Sequence, residues 1–227
     1  MIKPLIISLV TITSVNCFGK TAKMIDADRS LVLRGAINGS IIDGIPKLQA
    51  LAEESLEPIH LLINSPGGAV LPGMMFVDAM KAAQSKGIKF VCTSTVLSAS
   101  MAFIIYAQCD ERYALPNTRL LFHPMSISVN GARVKDLYVD LKHTVKEEEA
   151  IKITLQGQLG IDDETFEENY LAETFWQAAL LAKAAPGFVT IVDNVEGWGE
   201  WTYQYRLGNQ ITSGKVQEIL DRLEGRR

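Results

Sequence analysis

Apolar residues change their rhythm along this chain in a way that names its elements. Residues 30–34 read as a strand. From Ser40 the apolar positions Ile41, Ile45, Leu48 and Ala52 follow helical spacing, and Ser40 with Asp43 resembles a capping box carrying the shorter acid. Pro58 interrupts the chain. Residues 59–63 are then a short continuous apolar run, as expected of a strand covered on both faces. The loop 64–68 leads to a helix over 72–85. Residues 89–92 form a second buried strand, the Thr/Ser-rich stretch 93–99 reads as a loop, and 100–107 reads as a helix. A short strand at 120–122 precedes His123. Val134, Leu137, Leu141 and Val145 share one face of a long charged helix running to about Gln156. The alternation of Trp201, Tyr203 and Tyr205 predicts a strand in the tail. Strands alternating with helices imply an α/β fold with a largely parallel sheet.

Composition narrows the function classes. With 227 residues and 48% hydrophobic content, the chain suits one well-cored domain. Its 22 basic and 26 acidic residues are dispersed, and no basic block with interleaved aromatics is present, which argues against a nucleic-acid partner. No internal apolar run is long enough for a membrane span. The histidines His60, His123 and His143 and the cysteines lack zinc-like spacing, so no metal is expected, and acyl transfer by side chains and backbone amides calls for no organic cofactor.

The first residues differ from the rest. Lys3, then an apolar run from Leu5 to Val10, then small or polar residues, is the order of a secretory signal, with cleavage after Cys17 or Gly19. The expected division is therefore a signal at 1–19, one main domain at 20–196 and an extension at 197–227. A buried first strand is the plainer alternative for the leader. Export implies a periplasmic or secreted protein; without cleavage it would be cytoplasmic. After cleavage Cys92 and Cys109 remain. They read as two small buried apolar residues, although an oxidising compartment would permit a bridge between them.

Acyl transfer needs a nucleophile, a base within reach, a group that orients the base, and backbone donors for the developing oxyanion. Ser100 opens a helix after a strand, where free N–H groups and the helix dipole favour negative charge. Met101 would supply one N–H. The paired glycines of Asn-Ser-Pro-Gly-Gly, 64–68, allow close backbone approach, and Gly68 would supply the second.

Four segments carry a resemblance: INSPGG at 63–68, ASM at 99–101, ALPNTR at 114–119 and LFHP at 121–124. In order and near-matching spacing they resemble the proteolytic subunit of the Clp protease, ClpP, over roughly residues 25–178. The resemblance implies a ClpP/crotonase-like spiral of ββα units with a long protruding helix. It implies a serine endopeptidase with Ser100 as nucleophile, His123 as base, and Gly68 and Met101 as the oxyanion hole. It also implies a peptide or unfolded-protein substrate and a homo-oligomer, with an ATP-driven unfoldase as partner only if the protein is cytoplasmic. The family's third triad member is an aspartate two residues before a phenylalanine; matching that phenylalanine to Phe175 puts Glu173 at its place. The competing expectation is a surface Glu173, with His123 oriented by a backbone carbonyl or by Asp162 or Asp163.

Other readings stay open at this level. A crotonase-like acyl-CoA enzyme shares the fold and the paired N–H groups but not the Ser–His pair. A non-catalytic assembly protein would keep the scaffold alone. A serine–lysine signal-peptide peptidase would not need His123. Glu147, Glu148 and Glu149 read as a solvated helix face, and His60 and His143 as ordinary surface or partly buried residues.

Overall fold

A computed structural model describes residues 23–24, 26, 28–126, 133–173 and 176–196. The expected signal at 1–19, Phe175 and the extension at 197–227, with its predicted aromatic strand, lie outside the described residues. Nine strands and six α-helices occur among those described: β1 (Lys23–Met24), β2 (Ser30–Arg34), α1 (Gly44–Glu54), β3 (Ile59–Ser65), α2 (Val70–Gln84), β4 (Phe90–Ala99), α3 (Met101–Ala107), β5 (Glu111–Ala114), β6 (Arg119–Leu121), α4 (Val134–Leu159), α5 (Asp163–Leu171), β7 (Trp176–Gln177), α6 (Ala178–Ala184), β8 (Thr190–Ile191) and β9 (Val195–Glu196).

The main sheet runs β2-β3-β4-β5-β8 with every pairing parallel. β6 also pairs parallel with β4, and β7 closes against β6 antiparallel. β1 and β9 form a separate parallel pair. This is the α/β architecture expected from the alternation of elements. Residue choice explains the positions. β3 is buried at Ile59, Leu61, Leu62, Ile63 and Ser65, as befits a central strand covered on both faces, whereas edge strand β2 alternates buried Leu31 and Leu33 with exposed Val32 and Arg34.

The helices cover the sheet through regular stripes. In α2 the buried set Gly73, Phe76, Val77, Met80 and Ala83 recurs at helical spacing. All seven residues of α3 are buried, so it is a core helix. In α4 the C-terminal part packs inward through Ile151, Leu155 and Leu159, while Tyr138, Val139, Leu141 and Val145 nearer its start are exposed. Lys152 of α4 pairs with Glu167 of α5 and lies 4.9 Å from the Tyr170 ring centroid. Phe122, Phe166 and Tyr170 complete that contact, with Phe122 and Tyr170 centroids 5.1 Å apart.

Three expectations are corrected. Residues 93–99 are strand, not loop, because their hydroxyls find partners inside the sheet. Ser94 and Ser98 share a hydrogen bond at 2.7 Å, and Thr118 Oγ1 donates to the Ser94 carbonyl at 3.1 Å. The capping box does not form. Asn38 accepts from the Ser40 amide at 2.9 Å and opens a 3-10 turn, Gly39–Asp43, while Asp43 makes no side-chain cap. Cys92 and Cys109 are not separate apolar residues. They form a disulfide with their Cα atoms 5.9 Å apart.

Candidate active site

Three parallel strands end side by side, and their C-terminal ends carry the chemistry, as α/β sheets commonly arrange. β4 divides its pairing: Val91–Ser94 run against β5, while Leu97, Ser98 and Ala99 run against Arg119, Leu120 and Leu121 of β6. On its other side β4 pairs Ser98 with Ser65, the last residue of β3, after a register shift past Ile63. The next residues of these strands are therefore neighbours: Pro66, Gly67 and Gly68 from β3, Ser100 from β4, and Phe122 and His123 from β6.

Ser100 occupies a conformation that side chains seldom adopt, with φ 55° and ψ −128°. It is held there by its surroundings. Its amide donates to the Leu121 carbonyl at 2.8 Å, and its own carbonyl accepts from the amides of Phe103 at 2.9 Å and Ile104 at 3.2 Å, starting α3. The sharp turn from strand to helix leaves the side chain outside the strand ladder, half-buried.

The glycine loop lies directly against this turn. A Cβ on Gly67 would fall 2.4 Å from the Ala99 carbonyl oxygen and 2.6 Å from Ser100 Cβ, so no other residue fits without displacement. Gly67 also has φ +87°. Ser65 pins the loop: the Gly67 amide donates to its hydroxyl at 3.1 Å, and that hydroxyl donates to the Gly35 carbonyl at 2.6 Å. Gly68 bridges to Ile37, with the Ile37 amide on the Gly67 carbonyl and the Ala69 amide on the Ile37 carbonyl, both at 2.8 Å. That pattern uses the neighbours of Gly68 and leaves its own N–H turned away from the bridge. Met101, first in α3, has no intrahelical acceptor for its N–H either. Two free amides, of Gly68 and Met101, thus flank Ser100. The Met101 side chain is 1% exposed and presses on α2 where Gly73 leaves room for it.

His123 is half-buried beside Ser100 in the strand order. Its Nδ1 lies 2.7 Å from the Pro124 carbonyl oxygen. A carbonyl only accepts, so Nδ1 carries the proton in this contact, and in the neutral imidazole the lone pair falls on Nε2. Glu173 stands apart from this bond. It follows the C-terminal end of α5 with φ 49°, its amide donates to the Tyr170 carbonyl at 3.2 Å, and its side chain is exposed. No hydrogen bond joins it to His123 in this structure. The two other acids are engaged elsewhere. Asp162 caps α5 by accepting from the Thr165 amide at 2.8 Å and its hydroxyl at 3.0 Å, which holds its carboxyl below the usual carboxylate range. Asp163 accepts from the Gln156 amide group. In this structure the Pro124 carbonyl is the group on the His123 Nδ1.

The sequence reading did not single out Ser65 or Ile37, which hold the glycine loop. Their roles are backbone and hydroxyl contacts across some thirty residues of chain, and only the position of Ser65 inside the INSPGG segment hinted at one. Chemically, the site has a hydroxyl at a turn of positive φ, two amides without backbone partners and an imidazole held through Nδ1.

Known proteins bear on this arrangement. A sequence model of the family described as Clp protease matches residues 16–194. The ATP-dependent Clp protease proteolytic subunit of Paracoccus denitrificans is 34% identical over 113 residues, covering 49% of this chain and 56% of that protein. The ATP-dependent Clp protease proteolytic subunit 2 of Pseudomonas aeruginosa is 37% identical over 106 residues, covering 45% and 51%. The corresponding subunit of Bdellovibrio bacteriovorus is 29% identical over 142 residues, covering 61% and 66%. The chain thus spans between about half and two thirds of the length of these curated relatives.

Proposed function

The chain belongs to the Clp protease family, and from that premise we propose that it is a serine endopeptidase that cleaves peptides or unfolded protein through an acyl-enzyme on Ser100. One observation carries the reading: Ser100, at φ 55° between β4 and α3, is flanked by the unpaired amides of Gly68 and Met101 and bonded through its backbone to Leu121, the last residue of β6, two residues before His123. His123 Nε2 takes the hydroxyl proton as Oγ attacks the scissile carbonyl. The two amides receive the negative charge that develops on the carbonyl oxygen, where preorganised donors contribute most. Protonated His123 then gives its proton to the leaving amine, and water releases the acyl group by the same steps in reverse. The Pro124 carbonyl keeps the proton on Nδ1 through the cycle.

The chain is further proposed to act in an oxidising compartment, exported after loss of residues 1–19. The order of charge, apolar run and small residues at its start supports this, as does the buried Cys92–Cys109 disulfide, a bond that reducing cytosol disfavours. ATP dependence is named for the relatives; outside the cytosol ATP is scarce, and this chain is proposed to work without an unfoldase. Exposed Tyr138, Val139, Leu141 and Val145 on α4 support assembly of several copies, since such a set gains from burial.

Incubation of the purified protein with a fluorophosphonate probe, followed by peptide mapping, tests the assignment. Labelling of Ser100 is expected. Labelling at another residue, or none in a folded protein, refutes it.

A further inference from the structure

We propose that the Cys92–Cys109 disulfide positions the nucleophile, holding the far end of α3 to β4 so that Ser100 and the Met101 amide at its near end keep their aim. The inference builds on the reading of Ser100 as nucleophile. The bond closes a segment of sequence separation 17 that runs from Cys92 within β4 through all of α3, and Ser100 lies at its middle. Both half-cystines are buried, at 0% and 2% exposure, so the link is part of the core.

The two ends of α3 are held very differently. At the C-terminal end, Arg112 stands opposite Cys92 in the β4–β5 register. Its guanidinium donates to the carbonyls of Ala107 and Cys109 and, from Nε at 2.6 Å, to that of Phe188. Tyr106 donates its hydroxyl to the Tyr113 carbonyl at 2.9 Å. Burial pushes that phenol well above the ordinary tyrosine range, so it stays a donor. The disulfide is the covalent member of this anchor. At the N-terminal end no side chain caps the helix, and Ser100 sits in the left-handed half of backbone space, where it persists only because its surroundings over-determine it. A seven-residue helix is about 10 Å long and moves as one piece. Movement at Cys109 is therefore passed to the Met101 amide and the Ser100 turn. Displacements of about 1 Å at reacting groups can cost 100-fold in rate.

Reduction would break the anchor. A small dithiol attacks one sulfur, the S–S bond breaks, and the mixed disulfide resolves as the reagent closes into its own cyclic disulfide. Two electrons and two protons end on the Cys92 and Cys109 thiols. A pair of thiols needs more room than the bond it replaces, which presses the end of α3 away from β4 against its remaining contacts to Arg112 and Tyr113.

The full-length oxidised protein and the variant Cys92→Ala/Cys109→Ala are compared by fluorophosphonate labelling rate at Ser100 and by kcat and KM on a fluorogenic peptide. Circular dichroism and thermal melting establish that both are folded at the assay temperature. The expected result is a drop of about tenfold or more in labelling rate and kcat with KM within about twofold. Dithiothreitol, at a dose where thiol trapping shows the buried bond reduced, is expected to bring the wild type to the variant's level and to leave the variant unchanged. If the alanine pair does not fold, Cys92→Val/Cys109→Ala, which restores core volume, is judged by the same criteria. A folded variant with wild-type labelling rate and kcat, or a change in KM alone, overturns the proposal while leaving Ser100 as nucleophile. Oxidised wild type that is unlabelled at Ser100 overturns the nucleophile reading itself.

Discussion

The amide of Ser100 donates to the carbonyl of Leu121 at 2.8 Å, so the turn that presents the hydroxyl is tied to the strand that presents the imidazole. The proposed nucleophile and base are thus placed by one backbone ladder, β4 against β6, and not by the length of chain between them. The relation of the two residues then depends on the sheet register at Ala99 and Leu121.

Replacing Ser100 by alanine is expected to reduce kcat/KM for peptide cleavage by about 10⁴-fold or more, the scale seen when a triad nucleophile is lost. The far-ultraviolet spectrum and melting temperature should change little, because the hydroxyl makes no hydrogen bond that the fold needs. Full activity in the alanine variant would remove Ser100 from the mechanism.

Gly67→Ala should disable the site while leaving the substrate-independent fold largely intact. The new Cβ would lie 2.4 Å from the Ala99 carbonyl oxygen, and φ +87° is itself strained for alanine. Pushing the loop back withdraws the Gly68 amide, so a fall of about 10²-fold or more in kcat is expected, the magnitude tied to one oxyanion donor. Steady-state kinetics of a variant shown to be folded by circular dichroism would measure it; wild-type kcat would show that the loop does not contact the reacting carbonyl.

For Glu173→Gln, kcat/KM is expected to stay within about threefold of wild type, because the side chain is exposed and the His123 Nδ1–H is held by Pro124. An orienting carboxylate would behave otherwise, with a loss near ~10⁴-fold from the wrong tautomer. A loss of that size would return Glu173 to the triad and make the Pro124 contact secondary. Asp162→Asn and Asp163→Asn, assayed in parallel, cover the other acids.

Asp162 should give the protein a measurable acid-side sensitivity. Hydrogen bonds from Thr165 lower its carboxyl pKa in the folded state. Its stabilising contribution is therefore full above the unfolded carboxylate pKa and lost as pH falls through the lowered folded value. Thermal melts of wild type and Asp162→Asn from neutral pH downward should show the wild-type advantage shrinking over that interval. An advantage independent of pH would mean that the cap acts without its charge.

The mature protein, isolated from its own host, is expected to begin after Cys17 or Gly19 and to cleave peptides with no added ATP. N-terminal sequencing and a nucleotide-free peptidase assay check both points. Finding Met1 on the mature protein would overturn export.

Local chemistry already determined much of this molecule. The apolar run at 59–63, the helix over 72–85 and the helix-like run 100–107 each meet the rule that backbone polar groups must be satisfied within an element, and each was legible without coordinates. The glycine pair and the Ser100–Met101 and His123–Pro124 steps were legible through the order and spacing of the four segments that resemble ClpP; alone, each would read as an ordinary turn or cap. Tertiary structure decided what depends on partners far along the chain. Residues 93–99 look like a loop by composition and become strand because Ser94, Ser98 and Thr118 satisfy one another's polar groups inside the sheet. Cys92 and Cys109 read as small apolar residues and become a covalent link because β4 and the end of α3 bring their Cα atoms to 5.9 Å. The partner of the His123 Nδ1–H could have been an acid or a carbonyl on sequence grounds. It is the Pro124 carbonyl because the turn after β6 brings that oxygen to 2.7 Å, while the end of α5 leaves Glu173 in solvent.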